Sequence, residues 1–173
     1  MAATYIIAEI GQNHNGDINL AKTLIDLAAI PIYDKWNGKL LPGIDAVKLT
    51  KRDLSEELSL EESARIYNSP NSFGKTYGEH RKMLELTYDE HVELFHYAKG
   101  KGLDFIETFC SPKTLKLLDK IDVDKIKVAS RDLTNIPLLE EIGKANKPVI
   151  LSTGMSDLTE IETAVNIISK YHD

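Results

Sequence analysis

Apolar runs recur along the chain, and each closes on polar residues before a helical pattern begins. Four of them are Tyr5-Ile6-Ile7-Ala8-Glu9, Asp45-Ala46-Val47-Lys48, Lys125-Ile126-Lys127-Val128-Ala129-Ser130 and Pro148-Val149-Ile150-Leu151-Ser152, and Leu103 to Phe109 is a fifth. Short runs of this kind mark parallel strands buried on both faces. Between them, apolar residues return at helical spacing. Leu20, Leu24, Leu27 and Ala28 follow Asp17 as N-cap. Val92, Phe95 and Ala98 follow Thr87-Tyr88-Asp89-Glu90, a capping box that Gly100 and Gly102 answer at the other end. Leu115, Leu118 and Ile121 follow Ser111-Pro112, a further helix with Pro137 near its start spans Ile136 to Lys144, and Leu158, Ile161, Val165 and Ile168 follow Asp157.

Strand-helix-strand alternation predicts the α/β class, a parallel sheet with right-handed crossovers. About five βα units are present, whereas a closed TIM-type (β/α) barrel needs eight. The expected architecture is therefore an incomplete barrel, the open α/β sheet being the other arrangement that five units allow. Two segments are less regular. Ile30 to Pro42 is punctuated by Pro31, Gly38 and Pro42, and Trp36 within it is expected to plug a loop against the core. Thr50 to about Glu79 reads as a long polar loop on the catalytic side, with Asn68, Asn71, Gly74, Tyr77 and Arg81 as recognition residues.

Composition narrows the partners. The 173 residues carry a net charge of -6, with 42% hydrophobic and 28% charged residues. This acidic balance argues against nucleic acid and anionic membranes, which attract clustered Lys and Arg. No apolar stretch is long enough to span a bilayer, and the N-terminus lacks the basic and apolar regions of a signal peptide. The single cysteine, Cys110, rules out an internal disulfide and fits a reducing compartment, so the cytoplasm is the expected location.

In parallel α/β folds chemistry gathers at the strands' C-terminal ends. Lys48 and Lys127 stand at two such ends, with Ser130 and Ser152 at others. A single lysine there would snorkel to water, but two lysines with hydroxyls predict an anion pocket for a phosphate or carboxylate. A Schiff-base lysine is the competing reading. Glu9 is either a general base or acceptor for a substrate hydroxyl, or a tie for the turn that follows it. Glu107 and Thr108 point to opposite sides by strand alternation, and Thr108 is the better pocket candidate. Asp132 is a further carboxylate near a strand end. Of His14, His80, His91, His96 and His172, none shows metal-ligand spacing; most are expected to face solvent, and His14 is a candidate for substrate or supporting contact. Cys110 reads as a small buried thiol, and Gly154-Met155 lacks the dinucleotide-binding glycine pattern.

Several of these residues fall in ordered motifs. Ile7-Ala8-Glu9-Ile10-Gly11-Gln12-Asn13-His14-Asn15-Gly16, Asp45 to Lys48, Lys127-Val128-Ala129-Ser130, Leu133-Thr134-Asn135-Ile136-Pro137-Leu138-Leu139 and Lys147 to Met155 resemble the sialic acid synthase family, which includes N-acetylneuraminate, legionaminate and pseudaminate synthases and spore-coat polysaccharide proteins. The segment Tyr77 to Leu86 is similar to a subset of those enzymes. The resemblance implies condensation of phosphoenolpyruvate with an N-acyl-aminosugar such as N-acetylmannosamine, releasing phosphate and forming a nine-carbon 2-keto sugar acid. It implies a divalent metal, manganese or magnesium, whose paired histidine ligands lie on later barrel strands than those of this chain.

Matched by motif, the resemblance puts Lys48, Thr108 and Ser152 on the carboxylate side of phosphoenolpyruvate, and Lys127 and Ser130 on its phosphate. Glu9 and Asn13 line the sugar and metal side, Tyr77 is a further substrate-binding candidate, and Asp132, a catalytic candidate with Glu9, stands where many members carry a glutamate. The resemblance further implies a homo-oligomer and a C-terminal antifreeze-like domain that this sequence does not include. The stretch from Ile30 to Leu41 is longer than the family's usual helix-to-strand link. A second reading is a non-catalytic sugar- or phosphate-binding barrel fragment completed by a partner, because missing walls leave strand edges to be covered.

Overall fold

The computed structural model describes residues 4–171. Five strands form one sheet: β1 (Ile7–Gly11), β4 (Ala46–Lys51), β5 (Asp104–Phe109), β6 (Lys125–Val128) and β7 (Val149–Leu151). They stand side by side in chain order, and every neighbouring pair is parallel. A doubly wound sheet reverses its strand order part-way; this one never does, which makes it an arc of a (β/α) barrel. Among the described residues β1 and β7 each have one strand neighbour, so the arc is open.

Strand alternation divides the residues between the two faces. Val47, Leu49, Phe105, Phe109, Ile126 and Val128 join the hydrophobic core, with Val149 and Leu151 packed against it. Each large side chain buried there contributes on the order of 1.5–3 kcal/mol. The helices α1 (Ile18–Ala29), α5 (Tyr88–Gly100), α6 (Ile136–Lys144) and α7 (Leu158–Ser169) supply the other half of that core through Ala21, Ile25, Leu94, Ala98, Leu138, Leu139, Ile142, Ala164 and Ile167. The opposite parity carries Lys48, Thr50, Ile106, Thr108, Lys125 and Lys127 on the concave face. The register aligns these across the strands: Glu9 beside Lys48, Thr50 beside Thr108, Thr108 beside Lys127.

The expected caps are present. The Asp17 carboxylate accepts from the Asn19 and Leu20 amides, Thr87 and Glu90 close a capping box, and Asp157 with Glu160 closes another. Helix faces are rotated from the expected stripes. In α1 the buried residues are Ala21 and Ile25, whereas Leu20 and Leu27 are exposed; in α7 Leu158 and Val165 are exposed and Ala164, Ile167 and Ile168 are buried. Both helices flank the open ends of the arc, where no further strand stands among the described residues to cover the outer part of an apolar stripe. The helix predicted after Ser111-Pro112 is a 3-10 segment, Pro112–Asp119.

Two other expectations are corrected. Residues 30–42 are not an irregular plug but an antiparallel hairpin of β2 (Ile32–Asp34) and β3 (Lys39–Leu41), turned by Asp34, which accepts from the Trp36 and Asn37 amides. Trp36 at its tip is 97% exposed and packs against no core. The polar stretch after β4 is not a structureless loop: it folds into α2 (Leu54–Glu57), α3 (Leu60–Ala64) and the start of α4 (Tyr77–Met83), capped by Asp53, Ser59 and Thr76. Arg81 on α4 is buried and donates to the Tyr77 hydroxyl, rather than standing free as a recognition residue.

Candidate active site

The concave face is built from strand ends outward. Lys48 is buried, 3.4 Å from Glu9 and 3.5 Å from the Thr50 hydroxyl. Glu9 keeps most of its side chain in water, so it partners the ammonium from the open side. One strand further, the Thr108 hydroxyl is buried with no hydrogen-bond partner in the protein, an acceptor and donor left for a ligand or water. Lys127 lies next in the register and donates to the Ser152 hydroxyl and the Val128 carbonyl. Burial and the neighbouring Lys48 ammonium hold its pKa below the ordinary lysine value. Two ammonium groups in one recess repel each other, and an anion placed between them removes that repulsion.

Beyond β6 the chain turns at once into the short 3-10 segment Ser130–Asp132, which sets the Ser130 side chain against Gly154. A Cβ on Gly154 would stand 3.0 Å from the Ser130 hydroxyl, so the glycine lets the β7 loop close over that serine. Asp132 is buried, and burial raises its pKa while the adjacent Arg131 opposes the rise.

The turn after β1 carries the remaining candidates. Asn13 is exposed and its amide donates to the Ile10 carbonyl. His14 is buried, with Nδ1 accepting from the Gly16 amide. Gly16 has φ +75°, and a Cβ there would lie 2.0 Å from the Met83 carbonyl oxygen, so only glycine lets the end of α4 sit on this turn. Tyr77 stands in a separate aromatic cluster with Tyr67 and His80, packed under Arg65. The structure thus brings Glu9, Lys48, Thr108, Lys127 and Ser152 onto one face with Ser130 and Asp132 at its rim, and leaves Tyr77 in contact with residues of its own segment.

The model of the NeuB family matches residues 40–173. The chain belongs to the NeuB family. It is 36% identical over 163 residues to the N-acetylneuraminate-9-phosphate synthase of Drosophila melanogaster, covering 94% of this chain and 41% of that protein. It is 36% identical over 175 residues to the N,N'-diacetyllegionaminic acid synthase of Campylobacter jejuni, covering 98% of this chain and 48% of that protein. The crystal structure of the N-acetylneuraminic acid synthetase of Leptospira borgpetersenii with citrate superposes with a TM-score of 0.75 at 31% identity, covering 98% of this chain and 51% of that one. The chain therefore spans about half the length of the relatives it matches.

This NeuB chain also holds functional-looking residues that its sequence did not single out. Arg52, Glu57 and Arg131 form a charged cluster beyond the C-terminal ends of β4 and β6: Glu57 Oε2 accepts from Arg52 at 2.9 Å and from Arg131 at 2.6 Å. Arg52 falls on the parity of Lys48 and Thr50, a signal that was legible; nothing in the sequence around Glu57 marks it. Glu107 and His91 form a pair buried on the helix side of the sheet, 2.9 Å apart, which corrects the expectation that His91 faces solvent. His172 lies outside the described residues. Cys110 is buried and its thiol is pushed up to about 11 by burial, which keeps it a packing group. Among the described residues no group of three or more His, Cys, Asp or Glu converges to hold a metal, and no helix is long and apolar enough to cross a membrane.

His14 makes stability depend on pH. Burial, and then the nearby His91, push its pKa down to about 4. The unfolded chain therefore binds a proton below about pH 6.5 that the folded chain refuses until near pH 4. Stability is full above the unfolded value and falls as pH drops through this window, by on the order of 3 kcal/mol from this group. The raised carboxyls of Asp132 and Glu85 act in the opposite direction. Urea denaturation between pH 7 and pH 4 should show a steeper decline in the wild type than in His14→Gln; parallel curves would remove His14 as the cause.

Proposed function

We propose that the concave face binds phosphoenolpyruvate and that the protein condenses it with an N-acyl-aminosugar to a 2-keto sugar acid, in sialic acid-type carbohydrate biosynthesis. The observation that carries this reading is the pair of strand-end lysines, Lys48 and Lys127, set on one face with the unpartnered Thr108 hydroxyl between their strands. A dianionic phosphate and a carboxylate on one small molecule match two separated ammonium groups better than a neutral sugar does. Curated relatives named as synthases of N-acetylneuraminate-9-phosphate and diacetyllegionaminic acid support the sugar half.

In this reading Lys127, Ser152 and Ser130 hold the phosphate, and Lys48 with Thr108 holds the carboxylate. The methylene carbon of phosphoenolpyruvate bonds to the sugar's aldehyde carbon, whose oxygen gains a proton and becomes a hydroxyl; water adds at the carbon bearing phosphate, and the C–O bond to phosphate breaks to leave the ketone, the two protons of that water going to the new hydroxyl and to the departing phosphate. Asp132, whose burial favours the protonated form, is placed to handle a proton at the pocket rim, and Glu9 and Asn13 face the sugar side. The divalent ion that the family resemblance implies finds no ligand group of three His, Cys, Asp or Glu among the described residues.

The test is to incubate the complete gene product with phosphoenolpyruvate, manganese or magnesium, and a panel of N-acyl-mannosamine-type sugars. Phosphate release that requires both organic substrates is the expected result. No release with any sugar would overturn the assignment.

A further inference from the structure

Glu57 is the hub of a polar chain beyond the C-terminal ends of β4 and β6. Gln12, after β1, donates to Glu85 at 2.5 Å; Glu85 faces Arg52 at 4.0 Å; Arg52 donates to Glu57; Glu57 receives Arg131; and Arg131 Nε reaches Asp132 at 3.3 Å. Four loops are tied in this way, those that follow β1, β4, α4 and β6. The Glu57 side chain is only 8% exposed, and it leaves Oε1 unpartnered. An uncompensated carboxylate in such a place is costly, and the two arginines are its partners.

The geometry also ranks the contacts of Arg131. Its terminal nitrogen gives Glu57 the short bond of 2.6 Å, and Asp132 receives only the longer Nε contact of 3.3 Å. We propose that Glu57 is a positioning residue, which takes the terminal nitrogen of Arg131 and leaves Asp132 only the longer Nε contact, so that the hold of Arg131 on the Asp132 carboxyl at the rim of the concave face stays weak. The inference rests on the proposed proton-handling role of Asp132. The charged or titratable groups facing Asp132 are Arg131 beside it, Glu57 on α2, Arg52 at the end of β4 and Cys110 at the end of β5. Without Glu57, Arg131 closes on Asp132 and favours its ionised form, and the Glu57 charge that opposes ionisation is gone. Both changes act in one direction.

The experiment is a carbon-13 NMR titration of aspartate carboxyls in this chain, with Asp132 assigned through Asp132→Asn. In Glu57→Gln the Asp132 inflection should move to lower pH, while phosphoenolpyruvate affinity stays within about twofold because Lys48, Lys127 and Thr108 are untouched. A merely structural role would lower the melting temperature and leave the Asp132 titration in place. If Glu57→Gln does not fold, Glu57→Asp is read instead, since it shortens the reach to Arg131 and should move the inflection the same way. An Asp132 titration identical to wild type in the folded variant overturns the proposal. Failure of phosphoenolpyruvate to bind even the wild type would instead remove the functional reading, and the titration would still decide the role of Glu57.

Discussion

Glu107→Ala should destabilise the protein by about 3–5 kcal/mol, the usual loss on breaking a buried ionisable pair. Glu107 and His91 are 0% and 1% exposed at the side chain, and they join the middle strand of the sheet to α5. Removing the carboxylate leaves the imidazole in the core without its partner, and that orphaned group, not the lost bond, is the larger part of the cost. For a chain of this size the melting temperature should drop by roughly 6–20 °C. The double variant Glu107→Leu with His91→Leu should be closer to wild type than Glu107→Ala, because neither polar group is then buried alone. Calorimetric melting of the three proteins checks this, and a loss under about 1 kcal/mol in Glu107→Ala would contradict a structural role for the pair.

Lys127→Ala should weaken phosphoenolpyruvate binding by about 1.5–3 kcal/mol, roughly tenfold to a hundredfold. Lys127→Arg should lose less, since it keeps the positive charge at the strand end but cannot reproduce the compact contact with Ser152. Because the interaction is charge-assisted, affinity should also fall with added salt. Titration calorimetry on the complete gene product measures all three effects. Equal affinity in wild type and Lys127→Ala would show that Lys127 only caps its strand.

The sequence was most legible where one physical rule acted alone. Buried parallel strands leave short apolar runs, so Val149 to Leu151 was visible, and Lys48 was visible as the polar residue that ends such a run at Val47. The parity argument separated Glu107 from Thr108 correctly: Glu107 meets His91 on the helix side, and Thr108 faces the concave side beside Lys127. Less was legible where structure depends on few residues or on distant ones. α2 and α3, of 4 and 5 residues, are too short to show a helical repeat. The hairpin at Ile32 to Leu41 places Ile32, Tyr33 and Leu40 in solvent, so its apolar content suggested a core that it does not enter. Glu57 joins Arg131 across 74 residues of chain, a contact that no local pattern encodes.

In the proposed function phosphoenolpyruvate occupies the concave face between β4 and β7. Crystals soaked with phosphoenolpyruvate test it most directly. Density for the phosphate is expected within hydrogen-bond distance of Lys127 Nζ and the Ser130 hydroxyl, with the carboxylate toward Lys48 and Thr108. Density elsewhere on the molecule, with Lys48 and Lys127 facing only water, would contradict it.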